Sequence, residues 1–427
     1  MEFPIFAYIA VLLLVALFST RLMKWLHLPN VTGYIITGII AGPFVFGLLF
    51  NNFTFDGIKE SIIYQHIEKI KWVSSVALGF IAFSIGTSFR TSILKSVGKR
   101  VIVITILEAT LASVFVILAM IGLHFLFPND VSWELVLTLG AIASATAPAA
   151  TLMVIKQYNA KGPLVNTLLP VVALDDAAAL ILFAVLFQMS LAIAGGEFSL
   201  YTMLLKPLIE ISISLVVGLV IGLFISYMNR FFKSRNNRLI WCIFSIFAAL
   251  GVYYLFKQKD LGGFELSSLL MCMMAGAIYT NVSKETNKTM DVYDRFTAPV
   301  YMMFFVISGA SLDLSIFFNG SGLLVVGIAG TYIIFRVIGK YIGAFSGATL
   351  THCEPKIKKY LGLTLVPQAG VAIGLATTAN YLFTANEATK EAGALVIAII
   401  LTSTLIYELI GPLVSKYALS KAGEINN

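Results

Sequence analysis

The sequence predicts an all-helical polytopic membrane protein of about thirteen spans, and three observations lead there. Of its 427 residues, 59% are apolar and 12% charged, against roughly 45–50% and about 25% in a soluble domain. Runs such as Val101 to Phe127, broken only by Glu108 and His124, exceed the roughly 20 apolar residues that cross a bilayer core. The connections between such runs are short, so residues 1–427 read as one transmembrane unit with no separate soluble domain.

Taken in order, the first run (4–20) follows an acidic start without a small-x-small cleavage site and reads as a retained span. Further runs lie at 31–50, 71–89, 101–127, 132–155, 164–193, 205–229 and 239–256. The last five lie at 263–281, 297–312, 320–349, 358–384 and 393–415. Lys and Arg distribute unevenly between the alternate connections, 20 on one side and 7 on the other. The positive-inside rule then places the C-terminus in the cytoplasm and the N-terminus outside. The net charge of +7 is accounted for by this sidedness, and no nucleic-acid partner is called for. Cys242, Cys272 and Cys353 fit neither a metal knuckle nor a disulfide set. With four His in all and no nucleophile constellation or metal-ligand spacing, neither an enzyme nor a cofactor site is expected.

Two basic side chains remain inside spans, Arg336 and Lys340. The acids inside spans are Glu108, Asp175, Asp176, Glu265 and Glu408, with Glu134 and Glu210 near span ends. Mid-membrane charge costs at least a few kcal/mol and normally faces a partner or an aqueous pathway. Asp175, Asp176 and Lys340 all fall roughly 15–17 Å from the cytoplasmic ends of their spans, taking about 1.5 Å per residue. At a similar level, Pro148 interrupts the fifth span within Ser144-Ala-Thr-Ala-Pro-Ala-Ala-Thr151. Pro367 and Gly370 interrupt the twelfth within Leu365-Val-Pro-Gln-Ala-Gly370. Pro170 and Pro299 read as tolerated kinks, and the glycines from Gly33 to Gly42 and at Gly86 as close helix packing. Glu134, Glu210 and Glu265 read as ordinary span-end acids, whereas Glu108 and Glu408 stand between a satisfied buried acid and an accessory site residue. Arg336, one turn from Lys340, reads first as a structural ion-pair partner and second as another charge in the pathway.

Seven spans separate the two interruptions, so they run in opposite directions through the membrane. Spans 2–6 and 9–13 then form an inverted repeat, an arrangement that places transporter sites at the midplane beside broken helices. Neighbouring Asp175 and Asp176 point about 100° apart and divide their tasks. One pairs with Lys340; the other faces the cavity and can hold either a proton or a hard cation. Oxygen ligands are at hand in both carboxylates, in the Ser144 and Thr146 hydroxyls and in carbonyls freed near Pro148. Proton and cation competing for one site amounts to exchange. If cation binding broke the Lys340–Asp175 pair, Lys340 would release a second proton and each cycle would move net charge.

The motifs Pro29-x3-Gly33-Tyr34-x3-Gly38-x3-Gly42-Pro43, Thr146-Ala-Pro148, Asp175-Asp176, Ile338-Gly339-Lys340 and Pro367-Gln-Ala-Gly370 occur in that order. From about residue 25 to 415 the chain resembles the monovalent cation:proton antiporter superfamily, and most of all its bacterial sodium/proton antiporters with a paired aspartate, the electrogenic branch. The resemblance implies that Asp176 is the principal cation and proton carboxylate and that Asp175 pairs with Lys340. It also implies a homodimer, with spans 4–6 and 11–13 (about 101–193 and 320–415) as a mobile ion-binding core and the other spans as a dimerisation scaffold. The electroneutral branch usually has Asn-Asp, and often an acid where this chain has Ala147. Glutathione-gated potassium/proton relatives carry a nucleotide-binding domain after the membrane part, where this chain ends at Asn427.

The expected function is therefore sodium or lithium export in exchange for protons across the bacterial cytoplasmic membrane, electrogenic and suited to pH homeostasis. Cation and proton bind at Asp176 and Asp175, with Thr146 and Ser144 as further sodium ligands and Lys340 as the ion-pair partner. Glu108, Arg336, Glu408 and Gln368 are accessory positions. Alternatives are potassium/proton exchange on the same scaffold, a channel-like cation pathway, and an organic-anion symporter of similar architecture in which Lys340 binds the anion.

Overall fold

A computed structural model describes residues 5–26, 28–47, 62–87, 91–193, 205–232, 234–259, 266–283, 286–311, 322–383 and 389–425, together with residues 89, 201 and 264. Glu265 lies outside the described residues. The described chain is helical throughout, without strands. In order the helices are α1 (Ile5–Trp25), α2 (Asn30–Ala41), α3 (Ile62–Gly86), α4 (Thr91–Leu126), α5 (Trp133–Ala143), α6 (Pro148–Gln157), α7 (Pro163–Ile193) and α8 (Lys206–Met228). They continue as α9 (Arg235–Lys259), α10 (Ser268–Val282), α11 (Thr286–Ala310), α12 (Gly322–Leu350), α13 (Pro355–Thr364), α14 (Gly370–Phe383) and α15 (Lys390–Lys421).

Among the described residues, nine segments are long and apolar enough to cross a membrane, α5 and α6 counting together as one. Two further apolar helices, α2 and α10, are shorter. Several helices outrun the apolar stretch that announces them. Thus α4 begins at Thr91 and carries Lys99 and Arg100 before Val101, and α11 begins at Thr286 and includes Lys288, Asp291, Asp294 and Arg295. Hydropathy locates the part of a helix that lies in hydrocarbon, whereas backbone hydrogen bonding continues into the polar zone. Pro170 and Pro299 lie inside α7 and α11, which continue through them.

The chain divides into two compact units, Met1–Ser96 with Ile209–Asp313, and Val97–Leu208 with Leu314–Asn427. In the first, α2 packs on α11 and α3 on α10 with backbones nearly touching. A Cβ on Gly38 would collide with the Val306 carbonyl, and one on Gly276 with the Phe83 carbonyl. Small residues permit this approach where no hydrophobic drive exists between lipid-embedded helices. The Tyr293 hydroxyl donates to the Phe80 carbonyl at 2.7 Å, tying α11 to α3.

In the second unit α5 packs on α7, α12 on α13 and α15, and α14 on α15. Its core joins Leu139, Phe183, Ile328, Phe383 and Ile399. Large apolar side chains such as Leu118 and Ile334 remain exposed, as suits a lipid-facing surface. The C-terminus folds back on this unit. The Glu424 carboxylate accepts hydrogen bonds from the backbone N–H groups of Leu164 (2.7 Å) and Val165 (2.9 Å), so it caps the first turn of α7.

Candidate functional site

Two helix interruptions meet in the second unit. Residues Ser144–Ala147 separate α5 from α6, and Leu365–Ala369 separate α13 from α14. Pro148 starts α6, where its missing N–H costs nothing. The two unwound segments touch directly, the Ala147 N–H donating to the Pro367 carbonyl at 2.9 Å.

A helix that ends inside a membrane leaves its last carbonyls without partners and presents the negative end of its dipole. Side chains satisfy those of α5. Gln368 Nε2 donates to Ile142 O (3.0 Å) and Ala145 O (3.3 Å). Arg336 donates from Nε to Ala143 O (3.0 Å), from Nη2 to Ala145 O (2.6 Å) and from Nη1 to Val366 O in the other interruption (2.8 Å). Lys340 Nζ donates to Ser144 O. The Tyr407 ring lies under the Arg336 guanidinium at 4.7 Å, and the Tyr332 hydroxyl bonds the Gln368 side chain. Arg336 therefore clamps both breaks through their carbonyls, a role distinct from the ion pair or pathway charge that the sequence suggests for it. The end of α13 is served by Thr151, whose hydroxyl donates to Thr364 O at 3.1 Å.

Lys340 is the centre of the charged group. Its Nζ lies 3.1 Å from Asp175 Oδ2 and 2.5 Å from Glu108 Oε2, and all three side chains are wholly buried. Glu108 belongs to the site because α12 carries Gly339, Gly343 and Gly347 on the face against α4. A Cβ on Gly339 or Gly347 would approach the Cα of Ala112 or Ile104 to 2.7 Å, and one on Gly343 would overlap the Cα of Glu108. This ridge brings the two backbones together opposite Lys340. The sequence carries the signal as Gly339-x3-Gly343-x3-Gly347, but that pattern does not say which helix fills the groove.

Asp176 stands apart from that group. It is buried on α7, 4% exposed, and its Oδ1 has no hydrogen-bond partner among the described residues. The same holds for Thr146 Oγ1 in the first interruption. Ser144 turns its hydroxyl back onto Ala141 O at 2.9 Å and offers its carbonyl to Lys340. Glu408 is buried on α15. Three carboxylates, Glu108, Asp175 and Asp176, thus stand with one ammonium, a surplus of two negative charges if all ionise and of one when Arg336 is included. Such a surplus deep in a membrane protein calls for protons or a cation. Among the described residues no group of three or more His, Cys, Asp or Glu is arranged to hold a resident metal ion.

A family model described as sodium/hydrogen exchanger, transmembrane, matches residues 9–416. No curated protein matches the chain. Among solved structures, the sodium proton antiporter MjNhaP1 from Methanocaldococcus jannaschii at pH 8 is similar in fold. It has a TM-score of 0.68 and 18% identity over 98% of each chain. An electron-microscopy structure of MjNhaP1 gives a TM-score of 0.74 and 17% identity over 99% of this chain and 98% of that one.

Proposed function

The chain belongs to the sodium/hydrogen exchanger family, and we propose that it exchanges sodium or lithium for protons electrogenically, with both competing for Asp176. As a member it is a multi-pass membrane cation/proton antiporter and not an enzyme. The finer reading rests on one observation above all: Asp176 is a buried carboxylate with an oxygen that lacks a donor, and among the described residues it stands outside the ion contacts that Lys340 makes with Glu108 and Asp175. A carboxylate oxygen in that condition binds a proton or a hard cation, and either one excludes the other. Thr146 Oγ1, equally unpartnered, supplies a neutral oxygen ligand. Asp175 holds Lys340 and contributes to the cation site from the other side of the pair.

The arginine clamp supports the same reading. It fixes the crossing of the interrupted helices, so the ligands are organised before the cation arrives. Lys340 already has a carbonyl and two carboxylates around its three N–H bonds, which speaks against its binding an organic anion. The second unit is assigned as the ion-carrying core and the first as scaffold and dimer surface, in a bacterial cytoplasmic membrane with the C-terminus inside. The test is proton flux in proteoliposomes with an internal pH dye, adding sodium, lithium or potassium. Sodium- and lithium-driven flux lost in Asp176→Asn supports the proposal. Flux with potassium alone moves the substrate, and unchanged sodium flux in Asp176→Asn refutes the role of that carboxylate.

A further inference from the structure

We propose that Glu424 is a positioning residue for sodium binding: by fastening the C-terminal segment to the start of α7, it sets the tilt at which Asp175 and Asp176 stand against the interrupted helices. The inference rests on the sodium/proton reading above and assigns within it a residue that touches neither the cation nor the proton.

The attachment is built from both sides. Helix α15 ends at Lys421 and the chain turns back at once, the N–H groups of Gly423 and Glu424 donating to the Ser420 and Leu419 carbonyls at 3.0 Å each. The Glu424 carboxylate then accepts from the N–H groups of Leu164 and Val165, and its carbonyl accepts from that of Lys161 at 3.1 Å. Three backbone donors from the α6–α7 connection and the first turn of α7 thus end on one residue that is only 7% exposed. Gly162 leaves the room for it, since a Cβ there would come within 2.3 Å of Glu424 Cδ. Around the attachment, Leu419 and Ile425 share one apolar cluster with Ile155 of α6, Leu361 of α13 and Val172 of α7. Val172 lies one turn before Asp176, so this packing reaches from the C-terminal segment to the level of the site.

Pro170 makes the anchor matter. A proline inside a helix offers no N–H to the carbonyl four residues back, here that of Asn166, and its ring crowds that carbonyl. Helices bend at such points. The weakest turn of α7 therefore lies between its capped end and the two aspartates, and the bend there is set by what holds each side. Beyond the proline, Lys340 holds Asp175, and the Thr105 hydroxyl of α4 donates to the Val171 carbonyl at 3.4 Å. Before it, Glu424 supplies hydrogen bonds from the C-terminal segment. With Glu424 detached, the first turn loses its fixed end, α7 bends over a wider range at Pro170, and the aspartates no longer keep one place relative to the interruptions. A site that must be ordered as its ligand arrives binds more weakly than one already in place. The loss accordingly falls on sodium affinity rather than on the maximal rate.

The experiment separates these two quantities. Sodium binding by calorimetry on the purified whole chain, and sodium-dependent proton flux in proteoliposomes, are compared for the wild type, Glu424→Ala and Glu424→Gln. Glu424→Ala raises both the sodium dissociation constant and the half-saturating sodium concentration by about three- to tenfold, tenfold being about 1.4 kcal/mol, and leaves the maximal rate nearly unchanged. Glu424→Gln, whose amide oxygen still accepts from the first turn of α7, recovers most of the affinity. A Glu424→Ala protein that melts lower yet binds sodium like the wild type overturns the inference and leaves the cap a purely structural device. A lower maximal rate with unchanged affinity overturns it as well, as does a Glu424→Gln protein no better than Glu424→Ala. Should Glu424→Ala fail to fold, Gly162→Ala, which displaces the carboxylate without altering it, decides by the same comparison: weaker sodium binding supports the inference and wild-type binding refutes it. A wild type that binds no sodium overturns the sodium/proton reading, and the inference falls with it.

Discussion

Replacing Arg336 by methionine keeps a long side chain in place while removing all of its donors. Three carbonyls are affected, those of Ala143, Ala145 and Val366. Ala145 retains Gln368 at 3.3 Å, so two lose the donor described for them. A buried carbonyl left unpaired costs about 1–3 kcal/mol, and stacking over Tyr407 is lost as well. The total is on the order of 3–5 kcal/mol. With an unfolding entropy of about 2.1 cal/mol/K per residue, a chain this long should melt on the order of 5 °C lower. Purified protein followed by tryptophan fluorescence during heating reads this directly. Arg336→Lys should recover only part of the loss, because one ammonium cannot span three carbonyls on two segments. If Arg336→Met melts like the wild type and binds sodium equally well, the guanidinium does not hold the crossing together.

Lys340→Ala leaves Glu108 and Asp175 buried without their cation and should destabilise by about 3–5 kcal/mol, seen as a lower Tm; an unchanged Tm would deny the cluster its structural role. Gly343→Leu forces α4 away from α12 at a cost of about 1–3 kcal/mol and should impair transport. Gly330→Ala, on the same helix but with open space around it, should be neutral, and equal effects would deny the ridge its role. Glu424→Ala removes two hydrogen bonds from the start of α7, worth about 1–2 kcal/mol, and should speed hydrogen exchange at Leu164 and Val165; unchanged exchange there would deny the cap.

What the sequence disclosed and what it withheld divide along a physical line. Pro148 and Pro367 announce the interruptions because a ring nitrogen without a hydrogen acts locally, whatever packs nearby. Asp175 and Asp176 stand out because adjacent acids amid apolar residues are costly anywhere in a membrane. Arg336 could not be read in the same way. Its partners are backbone carbonyls, which every residue possesses, so no side-chain pattern points to them. Glu108 required knowing that the glycine ridge of α12 receives α4 rather than another helix, which is a tertiary fact. The cap from Glu424 to α7 spans about 260 residues and has no local signature.

At the centre of the proposed mechanism, sodium and protons compete for one buried carboxylate group. Sodium binding to the purified protein, measured by calorimetry across a series of pH values, tests that competition most directly. Each proton displaced by the cation weakens apparent affinity tenfold per pH unit on the acid side. Competition predicts a slope of at least one there, reaching two when both protons leave, and a flat profile at alkaline pH. Sodium affinity that stays constant from acid to alkaline pH would contradict it.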